Sequence, residues 1–341
     1  MTMLVAKVYG KEDLRVEEAP KPTKAVGQEV TIRVKAVGIC GSDNHIYHGA
    51  NPFATLPRIM GHEYVGEVSD LGELVTGLAI GDHVVVEPIT YCGKCYACRQ
   101  GMPNVCTELK VNGVHVDGGM QEYAKISSQQ AHKIASDIPW TTAVLAEPYT
   151  ISGNASMRGK VELGKTVLIQ GAGTVGQLLL RMCKAKGATV MITDVLDSRL
   201  EFARKNGADE VVNVTKEDLL ERLNTWTNGE KANVVIDAAC TPKTFAACLD
   251  YASVAGVIVP LGMTEEPSAI PQKPIMQKQL TICGTRLQGY QFEPVIKGIE
   301  SGLLVDDGIV TQEIPIREIQ SAFDLINNDP DQVRKVVLTF D

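Results

Sequence analysis

The sequence predicts an α/β protein in two parts: a β-rich domain, then a domain built on a parallel sheet wound on both faces. Three observations carry this reading. A length of 341 residues suits about two domains, each able to bury its own core. Over the first 135 residues, short alternating runs are punctuated by glycine and proline, as half-buried strands are. From Lys165 onward the pattern changes to near-continuous apolar runs separated by helical stretches, which a sheet covered on both faces requires.

Taken in order, Gln28–Cys40 alternates with Val30, Ile32, Val34 and Ala36 on one face. Tyr64–Ser69 and Asp82–Glu87 read the same way, with Gly61, Gly72, Gly81 and Pro88 as punctuation, so a partly closed barrel is expected. In the second part Thr166–Gln170, Thr189–Asp194, Glu210–Asn213, Asn233–Ala239 and Gly256–Leu261 read as strands, and Leu280–Arg286 as the last of the sheet. Ser198–Asn206 reads as a helix ended by Gly207. Phe292–Ser301 reads as helix and Lys335–Phe340 as strand. The expected divisions are 1–148, 149–288 and 289–341, the last returning to the first domain.

Lysine plus arginine against aspartate plus glutamate gives 33 − 41 = −8, which argues against a general affinity for nucleic acid or anionic membrane. No apolar run approaches the roughly 18 residues of a membrane span. Met1–Leu14 carries Lys11, Glu12 and Asp13 and does not read as a secretory signal. A cytoplasmic, reducing setting is therefore expected, where the nine cysteines need a role other than disulfides.

Cys92, Cys95, Cys98 and Cys106 follow the spacing C-x2-C-x2-C-x7-C. Four thiolates on one short loop suit a closed tetrahedral zinc site. An iron–sulfur cluster and a pair of disulfides are the competing readings. A closed site stabilises and performs no chemistry.

A second set is dispersed. Cys40 and His62 lie at the ends of strand-like runs, and Glu147 follows Ala146. Together they would offer S, N and O ligands to a zinc that keeps a fourth position for water or substrate. Asp43 would hold the free ring nitrogen of His62.

Gly171-Ala-Gly173-Thr174-Val175-Gly176 lies between an apolar strand and the apolar helix Gln177–Ala185. In that setting Gly171 makes the turn, Gly173 admits a pyrophosphate to the backbone, and Gly176 lets helix and strand approach. Asp194 ends the next strand, where a carboxylate binds ribose hydroxyls and repels a 2′-phosphate, favouring NAD over NADP.

The motifs G-I-C-G-S-D, G-H-E, the four-cysteine lobe, D-G-G-M-Q-E-Y, E-P and the nucleotide loop resemble the zinc-dependent medium-chain dehydrogenases, the family of alcohol, sorbitol and threonine dehydrogenases. The resemblance spans essentially the whole chain. It implies a GroES-like catalytic domain plus a Rossmann NAD-binding domain, two zinc ions per subunit, NAD, and a homodimer or homotetramer. It implies Cys40, His62 and Glu147 as catalytic zinc ligands, with Glu63 an adjacent carboxylate able to approach or exchange onto the metal; which glutamate ligates directly stays open. Ser42 and His45 are the implied proton relay. Arg199 would flank the ribose, and Ala239, Leu261 and Met263 would lie along the nicotinamide channel.

The stretches G-I-C-G-S-D-N-H-I-Y-H-G-A-N-P-F and I-D-A-A-C extend the likeness to a subgroup holding a starvation-sensing oxidoreductase and L-galactonate and L-gulonate 5-dehydrogenases. His115 is a candidate for selecting a carboxylate-bearing substrate, and Tyr47, His48 and Tyr149 are further pocket candidates. The expected reaction is oxidation of a secondary alcohol on a sugar acid or polyol. A sorbitol- or L-threonine-type specificity and a catalytically inactive binding homologue are the alternatives.

Overall fold

The structure, a computed structural model, describes residues 1–340. The chain divides into two compact units: Met1–Glu147 with the chain from Phe292 onward, and Pro148–Gln291. No helix among the described residues is long and apolar enough to cross a membrane.

In the first unit the strand Glu29–Gly38 is the hub, with Val30, Ile32, Val34 and Ala36 fully buried. It pairs antiparallel with Glu63–Leu71 on one side and with Lys335–Thr339 on the other. The register sets Gly38 opposite both Glu63 and Val337. The last strand of the chain thus lies beside the end of the third. An N-terminal hairpin, Thr2–Gly10 with Asp13–Pro20, turns at Lys11 and Glu12, where Glu12 takes φ +59°.

A strand-only reading of this region misses the helix Gly41–Tyr47. Its start is set locally: the Asp43 carboxylate, at the third helical position, accepts the Cys40 N–H at 2.9 Å. Tyr47 at its end is buried and stacks on Phe323, with ring centroids 4.7 Å apart.

The second unit is a six-stranded sheet, all parallel, ordered Glu210–Asn213, Thr189–Asp194, Thr166–Gln170, Ala232–Asp237, Ala252–Pro260, Thr281–Ile282. Numbered along this unit the order is 3-2-1-4-5-6, the doubly wound Rossmann arrangement. The central strand shows why both faces must be covered. Val167 and Ile169 pack with Leu179, Leu180 and Cys183 on one face, while Leu168 packs with Leu223, Val235 and Cys248 on the other. Each such burial is worth about 1.5–3 kcal/mol.

The expected strand Leu280–Arg286 shrinks to Thr281–Ile282. Side chains from the helix Ala146–Arg158 take the carbonyls beyond it: Arg158 binds Gly284 O, and Asn154 binds Arg286 O and Leu287 O. Those carbonyls are then unavailable to a ladder.

Candidate active site and metal centres

The four-cysteine lobe is compact. Neighbouring sulfurs stand 3.5 to 3.8 Å apart, and none of the nine cysteines forms a disulfide. Sulfurs bound to one zinc at about 2.3 Å stand about 3.8 Å from each other, so the spacing suits that ion. Backbone N–H groups of Cys95, Cys92 and Glu108 donate to Cys92 and Cys106 sulfurs, as they would to thiolates. The N–H groups of Cys98 and Thr107 bring the Cys95 thiol down to about 6.

The second centre forms where strands meet. Cys40 Sγ, a ring nitrogen of His62 and a carboxylate oxygen of Glu63 all lie within 4.8 Å of one another. Strand pairing explains the convergence, because Glu63 is opposite Gly38 and Cys40 follows two residues later. Asp43, fully buried, ties the two segments together by accepting the N–H of Cys40 at 2.9 Å and of Gly61 at 3.2 Å. Burial works against its charge, but His62 and these N–H groups hold its pKa below the ordinary value.

Asp43 was expected to hydrogen-bond the ring of His62. Its Oδ1 stands 3.7 Å from Nδ1, an ion-pair contact longer than a hydrogen bond. The backbone donors have claimed the carboxylate. His62 Nδ1 is left without a hydrogen-bond partner among the described residues.

Glu147 is buried nearby and interacts with the charges of His62, Glu63 and Lys335, yet its carboxylate is outside the 4.8 Å group. Burial pushes its pKa up to about 7, against the pull of His62. Glu63 is therefore the glutamate grouped with Cys40 and His62.

One residue that sequence reasoning missed completes this centre. Lys335, 4% exposed, forms an ion pair with Glu63 and donates to Ile39 O at 3.1 Å. Burial disfavours its charge, but Glu63 and then Cys40 hold its pKa above the ordinary lysine value. The only local signal was a lysine heading the apolar run Val336-Val-Leu338.

Of the other candidates, Ser42 is half-buried and His45 exposed, both on the helix Gly41–Tyr47. Tyr47 and His48, candidates for the pocket, are engaged within the first unit. Tyr47 is stacked on Phe323 and accepts a hydrogen bond from Gln320, while His48 is held between Glu12 and Asn327. His115 spends Nδ1 on the Val111 N–H at 3.1 Å, and Tyr149 is fully buried.

The nucleotide turn is formed as its glycines demand. Gly171 takes φ +95°, and a Cβ there would stand 2.9 Å from Ala239 N. Gly176 has no room for a Cβ beside the Gly171 carbonyl. Gly173 caps the helix Thr174–Ala185, whose first turn carries Val175, and a Cβ there would meet nothing within 4 Å. The Asp194 carboxylate accepts the N–H groups of Ala172, Val195 and Leu196 and lies 3.8 Å from Arg199. Past the ends of Ala232–Asp237 and Ala252–Pro260 is a cavity of about 380 Å³ lined by Asp237, Cys240 and Gly262. Ala239 and Met263, near these lining residues in sequence, are exposed, and Leu261 is half-buried. This cavity is at the carboxyl ends of the fourth and fifth strands of the unit, next to the switch point between Thr166–Gln170 and Ala232–Asp237 where doubly wound sheets bind dinucleotides.

Comparisons with known proteins agree with this reading. The family model "Alcohol dehydrogenase GroES-like domain" matches residues 27–136, and "Zinc-binding dehydrogenase" matches residues 174–301. The starvation-sensing protein RspB of Escherichia coli is 39% identical over 96% of this chain and 96% of its own length. A crystal structure of the E. coli rspB alcohol dehydrogenase, complexed with the cofactor NADH, superposes with a TM-score of 0.94 at 37% identity over 99% of both chains. An L-threonine 3-dehydrogenase of Pyrococcus horikoshii is 37% identical over 93% of this chain and 92% of its own. A 2-dehydro-3-deoxy-L-galactonate 5-dehydrogenase of Pseudoalteromonas atlantica is 30% identical over 98% of both. With one cluster fitted to a structural zinc and another to a catalytic one, the chain belongs to the zinc-type medium-chain alcohol dehydrogenases.

Proposed function

We propose that this protein oxidises a secondary alcohol group of a sugar acid or polyol, of the L-gulonate or L-galactonate 5-dehydrogenase type, with zinc and NAD. The observation that carries the reading is the convergence of Cys40, His62 and Glu63, two of them buried, on one point. A zinc ion held there supplies Lewis acidity, which lowers the pKa of a hydroxyl as it lowers that of water from 15.7 to about 7. Cys40 and His62 hold the ion, Glu63 and Glu147 supply the nearby carboxylates, and Asp43 fixes the backbone of both ligand segments through the N–H groups of Cys40 and Gly61. Ser42 and His45 take the hydroxyl proton outward.

NAD supplies the hydride acceptor. Gly171, Gly173 and Gly176 shape the turn for its pyrophosphate, and Asp194 with Arg199 receives the adenosine ribose. The Asp194 carboxylate is the reason for preferring NAD to NADP.

The sugar-acid choice is supported by the galactonate dehydrogenase likeness over nearly the whole chain. An L-threonine specificity is the second reading, favoured by the higher identity to the Pyrococcus enzyme. A screen of NAD reduction over aldonates, alditols and L-threonine separates them. Turnover of an aldonate well above the other classes is the expected outcome, and preferential turnover of threonine would overturn the substrate class. No reduction with any secondary alcohol would sink the enzyme reading for this chain.

A further inference from the structure

We propose that Lys335 is a positioning residue of the metal centre: an internal ammonium that contends with the metal for the Glu63 carboxylate and keeps Glu63 a movable partner instead of a fixed ligand. This rests on the metal-centre reading above.

The ladder builds the contact. Gly38 faces Glu63 across one strand pairing and Val337 across the other. Lys335, two residues before Val337, shares that residue's face of the strand. Its side chain reaches Glu63 diagonally over Gly38. A Cβ at Gly38 would overlap the Glu63 carboxylate and stand 3.0 Å from Lys335 Cε. Glycine at that place on the hub strand therefore leaves the room in which the two charges meet.

The pair is costly to bury. Glu63 is 1% and Lys335 4% exposed, and neither charge is tolerated in an interior alone. Lys335 has a second, fixed acceptor in the Ile39 carbonyl, so it stays seated if the carboxylate leaves. Glu63 in turn stands within ligand reach of Cys40 and His62. One carboxylate is thus claimed by two cations. Glu63 can therefore lean to either cation.

The test measures metal hold on the full two-zinc enzyme. Zinc release to a chelator is followed in Lys335→Met, with the four-cysteine zinc as internal reference. Freed of the ammonium, Glu63 becomes a full ligand, and release of the catalytic zinc slows by at least about tenfold. In the cobalt-substituted protein the visible bands shift and weaken as an oxygen donor joins the metal. Lys335→Arg, which keeps the cation, releases zinc within about threefold of wild type. Wild-type release and an unchanged cobalt spectrum in Lys335→Met would reduce Lys335 to a neutralising partner and overturn the proposal.

If Lys335→Met does not fold, Glu63→Gln/Lys335→Met is compared with Glu63→Gln, since neither carries a contended carboxylate. The proposal requires equal release in the two, within about threefold. Slower release in the double variant would show the ammonium acting on the metal without Glu63, and would also overturn it. A wild-type protein that holds only the four-cysteine zinc would instead sink the metal-centre reading itself.

Discussion

Replacing Gly173 with alanine puts a methyl group where nothing in the protein lies within 4 Å. The backbone there, φ −68° and ψ −173°, is open to any residue. Alanine is a poorer helix cap than glycine, a loss of about 0.5 kcal/mol, but it restricts the unfolded chain by a similar amount. The melting temperature should therefore stay within about 2 °C of wild type. Gly176 differs. A Cβ there would overlap the Gly171 carbonyl oxygen and stand 2.9 Å from its carbon, against about 3.5–4.0 Å for carbon atoms in contact. Both neighbours are backbone and cannot rotate away, so turn and helix must part by more than about 1 Å to clear the oxygen. Such overpacking costs about 1–3 kcal/mol, a fall of roughly 3–10 °C in a unit of this size. Thermal unfolding without nucleotide and NADH titration by fluorescence separate the two effects. Gly176→Ala should lose stability and affinity together. Gly173→Ala should lose affinity alone, by at least about tenfold or about 1.4 kcal/mol, because its methyl occupies the place of a pyrophosphate oxygen. If Gly173→Ala binds NADH as wild type does, this turn is not the phosphate cradle.

Cys40→Ser should lower turnover by at least about 100-fold, while NADH affinity, set by residues of the other unit, holds; full activity of this variant after metal stripping would refute the scheme. Cys98→Ser should leave one zinc per chain by elemental analysis and lower the melting temperature, since a closed four-sulfur site cannot lose a corner; retention of both metals would show that Cys98 is no ligand. His45→Ala should slow oxidation about 10- to 100-fold at neutral pH and less at alkaline pH, where solvent base takes the proton. A parallel pH–rate profile would remove His45 from the relay.

The doubly wound sheet was legible because its grammar is local. Thr166–Gln170, Thr189–Asp194 and Glu210–Asn213 stand in the structure with the limits expected, each strand being an apolar run between helical stretches. The glycine turn was legible for the same reason, strand, turn and helix following one another within twenty residues. The four cysteines declared themselves by spacing. Legibility failed where a feature depends on partners distant in the chain. The helix Gly41–Tyr47 is seven residues long, begins with glycine, serine and aspartate, and is held by Phe323, Gln320 and Asn327. Leu280–Arg286 was overread because the side chains that end it, Arg158 and Asn154, lie more than 120 residues earlier.

The same contrast bears on how the two chemistries are maintained. In the second unit the cofactor turn needs only its own glycines and the neighbouring strand, so a substitution elsewhere reaches it weakly. In the first unit Cys40 and His62 are aligned by Asp43, the helix behind Cys40 rests on Phe323, and Glu63 is paired with Lys335. Nearly 300 residues separate the two ends of this one site, and its long-range strand pairing forms only after the chain between has been looped out. A buried glutamate that must await its lysine would be an uncompensated charge in any state lacking the final strand. Docking of Lys335–Thr339 thus completes two things at once, the ladder at Gly38 and the ion pair that compensates Glu63 when no metal is bound, so the final strand and the centre are built together.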